Sequence, residues 1–490
     1  MKASPMAAAG IALASTAQAQ VVQFDIAKRD GPLLRDLGRR ATTVNGVLSN
    51  QQVQGGYFIN VHVGTPGQNI TLQLDTGSSD VWVPAASAAI CTEVTSRNPG
   101  CTFGSFDSGK SSTFVDVGEG AFDITYVDNT FSKGDYFQDD FQIGGVTVSN
   151  LTMGLGLDSS IANGLIGVGY INDEASLGTT RSTYPNLPVV LQQEKLTNTV
   201  AYSLWLNDLD ASTGSILFGG IDTEKYQGDL TKINILKADG SSAFTEFAVE
   251  LYEVQASSSS GTDTLSSSEG TLVAVLDSGT TLTYLPQDMA EQAWKEVGAS
   301  YNEDFGLAVV PCSIRNSNGH FTFRFAGPQG PAINVTMSEL ALDLFSGGPQ
   351  PKFQNGPNEG QAACEFGIQN TTGSPYLLGD TFLRSAFVVY DLVNNEIALA
   401  PTNFNSTKTN VVAFASSGAP IPSATAAPNQ SKSGPSSSTG SGMSAASGFQ
   451  GDKDNAAPLT SAFSGPGVMV VGMTIVYTLV GSAIFGIGWL

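Results

Sequence analysis

Histidine is nearly absent from this chain: there are two in 490 residues, His62 and His320. Neither lies in an HExxH motif and no GxSxG elbow occurs, so a zinc hydrolase and a serine-nucleophile hydrolase both lack their defining residues. Cysteine is scarce as well. The four present (Cys91, Cys101, Cys312 and Cys364) include no CxxC pair, which argues against a metal site. We expect no metal and no other cofactor. Charged residues make up only 13% of the chain, and they are one-sided, with 22 Lys plus Arg against 44 Asp plus Glu. A net charge of −22 repels phosphate and excludes nucleic acid as an expected partner. Convincing helical periodicity is also rare, confined to Leu187 to Glu194, Gln287 to Tyr301 and a short turn near Ser338.

Long apolar runs are missing from the body and appear only at the C terminus. Gly467 to Leu490 has no charge and is long enough to span a bilayer, yet no basic cluster follows it. Small residues Asn455-Ala456-Ala457 and a neutral spacer, Pro458 to Pro466, precede it. Small triplet, spacer and apolar tail make a GPI-attachment signal, with Asn455 as the expected acceptor, Gly451 or Ser447 as substitutes, and a retained membrane helix as the alternative. At the other end, Lys2, an apolar stretch and Ala17-Gln18-Ala19 resemble a signal peptide over residues 1–19. In a secreted chain the four cysteines read as two disulfides, and local pairing gives Cys91–Cys101 and Cys312–Cys364. Sequons at Asn69, Asn150, Asn334, Asn370, Asn405 and Asn429 fit a glycosylated exterior.

Composition divides the rest. Residues 20–40 carry Lys28-Arg29 and Arg39-Arg40 and read as a basic pro-segment ahead of an acidic body, its end lying between Arg40 and about residue 52. From residue 52 to 402 strand-like runs such as Tyr57–Val63 and Ala386–Tyr390 alternate with Gly, Ser, Asn and Asp, which gives an all-β class. Residues 257–270 are low-complexity and polar and read as a flexible surface insertion. Residues 403–455, rich in Ser, Gly, Ala and Pro, read as a stalk without a core. Residues 456–490 would be removed on anchoring.

What the chain does hold is a repeat. Asp75-Thr76-Gly77-Ser78-Ser79, behind Leu72-Gln73-Leu74, recurs as Asp277-Ser278-Gly279-Thr280-Thr281 behind Val273–Leu276. Gly164-Leu165-Ile166-Gly167 follows the first copy and Tyr376-Leu377-Leu378-Gly379 the second. Duplicated lobes follow, 52–225 and 226–402. Two carboxyls meeting at a two-fold share one proton and activate one water. Gly77 and Gly279 let backbone N–H groups approach them. Ser78 and Thr280 carry hydroxyls for the outer oxygens, while Thr76 and Ser278 are placed to bond between the lobes.

These motifs, with Val63-Gly64-Thr65-Pro66 before the first and Val388-Val389-Tyr390-Asp391 after the last, are similar to those of the pepsin-family aspartic proteases. The resemblance covers roughly 52–402. It implies a bilobal fold, two β lobes related by a pseudo-two-fold with minor short helices, and aspartic endopeptidase activity at acid pH on polypeptides. It places a mobile hairpin at Ile124–Asp128, with Tyr126 closing over substrate and Trp82 bonding to it. Asp128, two residues on, resembles the acidic residue linked in fungal relatives to Lys or Arg at P1. Anchor signal, stalk and insertion look most like the GPI-anchored yapsins, which implies precursor substrates with basic cleavage sites, a membrane or wall location and a monomer. A catalytically inactive cell-wall or binding protein of the same fold is the alternative.

Overall fold

A computed structural model describes residues 21–29, 56–430 apart from loop positions 96–97, 212, 239, 269, 271, 303–305, 346–347 and 374, and 443–449. Strands dominate it, and helices are few and short. Among the described residues, fourteen strands form one sheet that both halves of the chain build, eight form a second and four a third.

The repeat in sequence is a repeat in topology. Gln68–Asp75 runs parallel to Leu165–Gly167, with Asp75 opposite Gly167, and Leu165–Gly167 runs antiparallel to Val81–Pro84. In the second half Leu272–Leu276 runs parallel to Tyr376–Leu378, which runs antiparallel to Thr283–Pro286. Each three-strand unit therefore presents its aspartate where the leading strand ends. These strands read as apolar runs because both of their faces are covered: Leu72, Leu74, Val83, Ile166, Ala274, Leu276 and Leu378 are all buried. The glycine closing each apolar pair is set by close approach. A Cβ on Gly167 would lie 2.6 Å from the Asp80 amide nitrogen, and one on Gly379 2.3 Å from the Thr280 carbonyl oxygen.

The lobes are joined by strand pairing. Ala201–Trp205 of the first half pairs with Ala386–Asp391 of the second, and the same sheet continues through Glu396–Pro401 to Leu230–Asn234. The expected division at 225/226 thus falls within a sheet common to both halves. Part of the expected pro-segment belongs to that sheet too. Val22–Arg29 lies between Thr213–Phe218 and Gly56–Val63, with Val22, Phe24 and Ile26 turned inward and buried. Residues 30–40, with Arg39-Arg40, lie outside the described residues, as do the signal-peptide stretch, Asn455 and the C-terminal apolar run.

Both disulfides are present as paired, with Cα–Cα distances of 4.7 Å for Cys91–Cys101 and 4.9 Å for Cys312–Cys364. Five sequon asparagines are exposed and Asn370 is half-buried. The helix beginning at Gln287 stops at Val297, short of Tyr301, because Gly298 takes a left-handed conformation (φ 66°) and closes it.

Two low-complexity readings are corrected. Residues 257–270 are not a loose insertion: Ala248–Ser258 and Gly261–Leu265 form a hairpin with Ala256 opposite Asp263 and Val254 opposite Leu265. Its alternation buries Val254, Ala256 and Leu265, so the serines occupy only the wet face and the turn. Nor does the stalk begin at 403. Val411–Ala413 pairs with Gly220–Asp222, Ala424–Ala426 pairs in parallel with Leu230–Asn234, and Phe414, Ile421 and Ala427 are buried. A few well-placed apolar residues outweigh the Ser/Pro-rich composition around them.

Candidate active site

The two leading strands deliver Asp75 and Asp277 to the seam between the lobes, both fully buried. Their surroundings match atom for atom. Gly77 N–H donates to Asp75 Oδ1 at 2.8 Å and the Ser78 hydroxyl donates to Oδ2. Gly279 N–H donates to Asp277 Oδ1 at 2.8 Å and the Thr280 hydroxyl to Oδ2 at 2.5 Å. Burial drives the Asp75 carboxyl well above the usual carboxylate range, the charge of Asp277 pushes it further, and the Ser78 and Gly77 donors pull the other way. The pair therefore holds a proton where isolated carboxyls would have lost theirs.

Beneath the pair, Thr76 and Ser278 lock the lobes together. The Thr76 hydroxyl donates to the Leu276 carbonyl (2.9 Å) and accepts from Ser278 N–H (2.9 Å). Reciprocally, the Ser278 hydroxyl donates to the Leu74 carbonyl (3.1 Å) and accepts from Thr76 N–H (3.2 Å). Four bonds in a buried setting fix the separation of the two aspartates to within the tolerance of a hydrogen bond.

A hairpin, Val115–Thr125 against Phe131–Ile143 with Thr125 opposite Phe131, carries Tyr126 near enough to Asp75 for the aspartate's charge to act on its phenol. Its turn is closed by Tyr126 N–H to the Thr130 carbonyl (2.8 Å), and Asn129 supplies the left-handed residue at φ 66°. Tyr126 is buried, and its phenol oxygen accepts from Trp82 Nε1 at 2.8 Å. Burial raises its phenol pKa, and the charge of Asp75 adds to the shift. Asp128 sits half-buried in the same turn. Its Oδ1 accepts from both the amide (2.8 Å) and hydroxyl (2.6 Å) of Thr130, whereas Oδ2 is buried with no hydrogen-bond partner.

A second carboxyl group of consequence escaped the motif reading. Asp80 is fully buried and accepts from the Tyr136 hydroxyl (2.7 Å), the Tyr184 hydroxyl (2.7 Å) and Ala175 N–H (2.8 Å). Burial raises its pKa in spite of these donors. Glu174 lies next to it, accepting from Tyr184 N–H at 2.8 Å, and burial pushes its carboxyl up to about 9. Tyr136 and Phe122 belong to the two strands of the hairpin and meet edge-on at 5.5 Å, and Phe122 tilts against Trp82 at 6.1 Å, so Asp80, through Tyr136, holds the hairpin strands beside Trp82. The signal in the sequence was an aspartate standing in the apolar run Asp80-Val81-Trp82-Val83, where a charge needs a special reason.

Comparison with known proteins agrees with this geometry. The model of the family described as eukaryotic aspartyl protease matches residues 56–402. The chain belongs to the eukaryotic aspartyl proteases. This aspartic protease is 41% identical over 411 residues to the probable aspartic-type endopeptidase opsB of Aspergillus fumigatus, covering 83% of this chain and 81% of that one. It is 33% identical over 409 residues to aspartic proteinase yapsin-3 of Saccharomyces cerevisiae (80% and 75%) and 36% identical over 354 residues to secreted aspartic protease 8 of Candida albicans (71% and 76%). Among the described residues, no helix of the protease is long and apolar enough to cross a membrane.

Proposed function

We propose that Asp75 and Asp277 are the catalytic pair of a cell-surface endopeptidase acting at acid pH. The observation that carries this reading is the matched setting of the two buried carboxyls, with one proton favoured between them. The ionised member removes a proton from a water while the protonated member hydrogen-bonds to the scissile carbonyl. Water oxygen adds to the carbonyl carbon, and the tetrahedral species breaks at C–N as a proton passes to the leaving nitrogen. One proton enters the pair and one leaves it, so the pair is regenerated without a covalent enzyme intermediate. Neither aspartate owns the base role, because the protons belong to the pair. Tyr126 closes over the substrate, held in place through Trp82.

Asp128 supports a preference for Lys or Arg at P1. One of its oxygens is spent on the Thr130 turn, and the other is buried with no donor, a position that a substrate cation would fill. For location, the N-terminal and C-terminal signals and the names of relatives, "secreted" in one case, support secretion, then attachment through a GPI anchor at Asn455. A catalytically inactive protein of this fold would have no need of the intact donors Gly77, Ser78, Gly279 and Thr280.

The deciding experiment is hydrolysis of a peptide library by wild type and Asp75→Asn. The variant should fold normally and lose turnover on the order of 10⁴-fold. Retained activity would overturn the mechanism.

A further inference from the structure

The segment 443–449 is separated by residues 427–442 from the last of the body's C-terminal strands, Ala424–Ala426, yet it is seated on the C-terminal half of the protease. Four hydrogen bonds hold it to the hairpin formed by Ala248–Ser258 and Gly261–Leu265. Ala445 N–H donates to Asp263 Oδ2 (2.7 Å), and the Ser258 hydroxyl donates to the Ala445 carbonyl (2.5 Å). The Ser260 hydroxyl donates to the Ser444 carbonyl (2.6 Å) and accepts from Gly448 N–H (3.0 Å). Beyond them Phe449 is buried, its ring stacked on Phe321 at 5.7 Å.

Two glycines of the body leave room for this segment. A Cβ on Gly319 would lie 2.2 Å from the Phe449 ring, and one on Gly261 would lie 2.7 Å from the Ser444 side chain. For each of them, the nearest atoms in the way belong to the tail and not to the body. The serines that made 257–270 look like a loose insertion are the groups that grip the tail.

We propose that this hairpin is a docking surface for the chain's own tail, and that the dock holds the catalytic body close to the attachment point. The docking stands on the contacts above; the distance rests on the anchor at Asn455 argued under Proposed function. From Phe449 to Asn455 the chain spans at most about 20 Å when fully extended. Were the tail undocked, the free tether would start at Gln430 and reach at most about 85 Å. The docked protease works on polypeptides near the surface and does not sweep the space above it.

The test is hydrogen exchange on the full-length chain, comparing wild type with Gly319→Ala, whose new methyl displaces Phe449, and with Phe449→Ala. In wild type the amides of Ala445 and Gly448 should exchange at least about tenfold more slowly than in either variant, the factor that 1.4 kcal/mol of docking gives. Hydrolysis of short peptides should be unchanged in both. Equal exchange rates in all three proteins would refute the dock. For the distance, energy transfer from a dye on the body to a dye in the membrane should fall in both variants, and phosphatidylinositol-specific phospholipase C should release all three. Protected amides in a chain that the phospholipase leaves on the membrane would overturn the anchor and the distance while the dock stands.

Discussion

Replacing Glu174 by Gln tests the acidic pair beside the hairpin. Folded, burial holds the Glu174 carboxyl protonated up to about 9; unfolded, it ionises near 4.5. The folded pKa is the higher one, so the folded state keeps a proton that the unfolded state releases as pH rises. The stabilisation is fully present below about 4.5 and is lost progressively toward about 9. Between pH 4.5 and 7 the loss amounts to about 3 kcal/mol, from 1.36 kcal/mol per unit. Glutamine imitates the protonated acid, retains an oxygen for the Tyr184 amide, and cannot ionise. Urea unfolding should find the variant close to wild type at pH 4.5 and more stable by about 3 kcal/mol at pH 7. A difference between the two proteins that does not change over this range would refute a protonated, buried Glu174.

Three further outcomes are expected. Ser278→Ala removes the bond to the Leu74 carbonyl and leaves the buried Thr76 amide without its acceptor, so unfolding should show a loss of about 1–3 kcal/mol, with a fall in kcat as the aspartates lose their fixed separation. Trp82→Phe keeps an aromatic ring against Phe122 but deletes the donor to Tyr126. Steady-state kinetics should show kcat/KM falling about fivefold, as expected for a neutral hydrogen bond worth about 1 kcal/mol. Burial raises the Asp128 pKa above its ordinary value, so its charge is lost earlier than usual as pH falls. The preference for Lys or Arg over Leu at P1 should therefore weaken on acidification in wild type and be low and flat in Asp128→Ser; an unchanged preference in the variant would show that another group reads the basic residue.

Much of the site was legible because its chemistry is local. Each aspartate is bonded to groups two and three residues further on, so the motif contains most of its own hydrogen-bond environment. Cys91 and Cys101 are close neighbours in sequence, and Cys312 and Cys364 lie within one half of the repeat. Composition misled where a few apolar residues decide the outcome: Val254 and Leu265 turn a serine-rich stretch into a hairpin, and Phe414 and Ile421 tie the start of the supposed stalk to the body. Asp80 was visible as a residue but not as a site, because its partners Tyr136, Ala175 and Tyr184 are far along the chain.

The sequence by itself determined the family, the two carboxyls, their immediate donors and the repeat that brings them together, since short-range geometry is written into short motifs. Tertiary structure alone decided what depends on distant segments meeting: one sheet shared by both halves, a residual acidic pair behind Trp82, an Asp128 half committed to its own turn, and a tail seated on the hairpin. Burial is what separates the two lists. A carboxyl or a serine has the same letter in water and in the core, and only the fold says how much solvent it has lost and which donor replaces it.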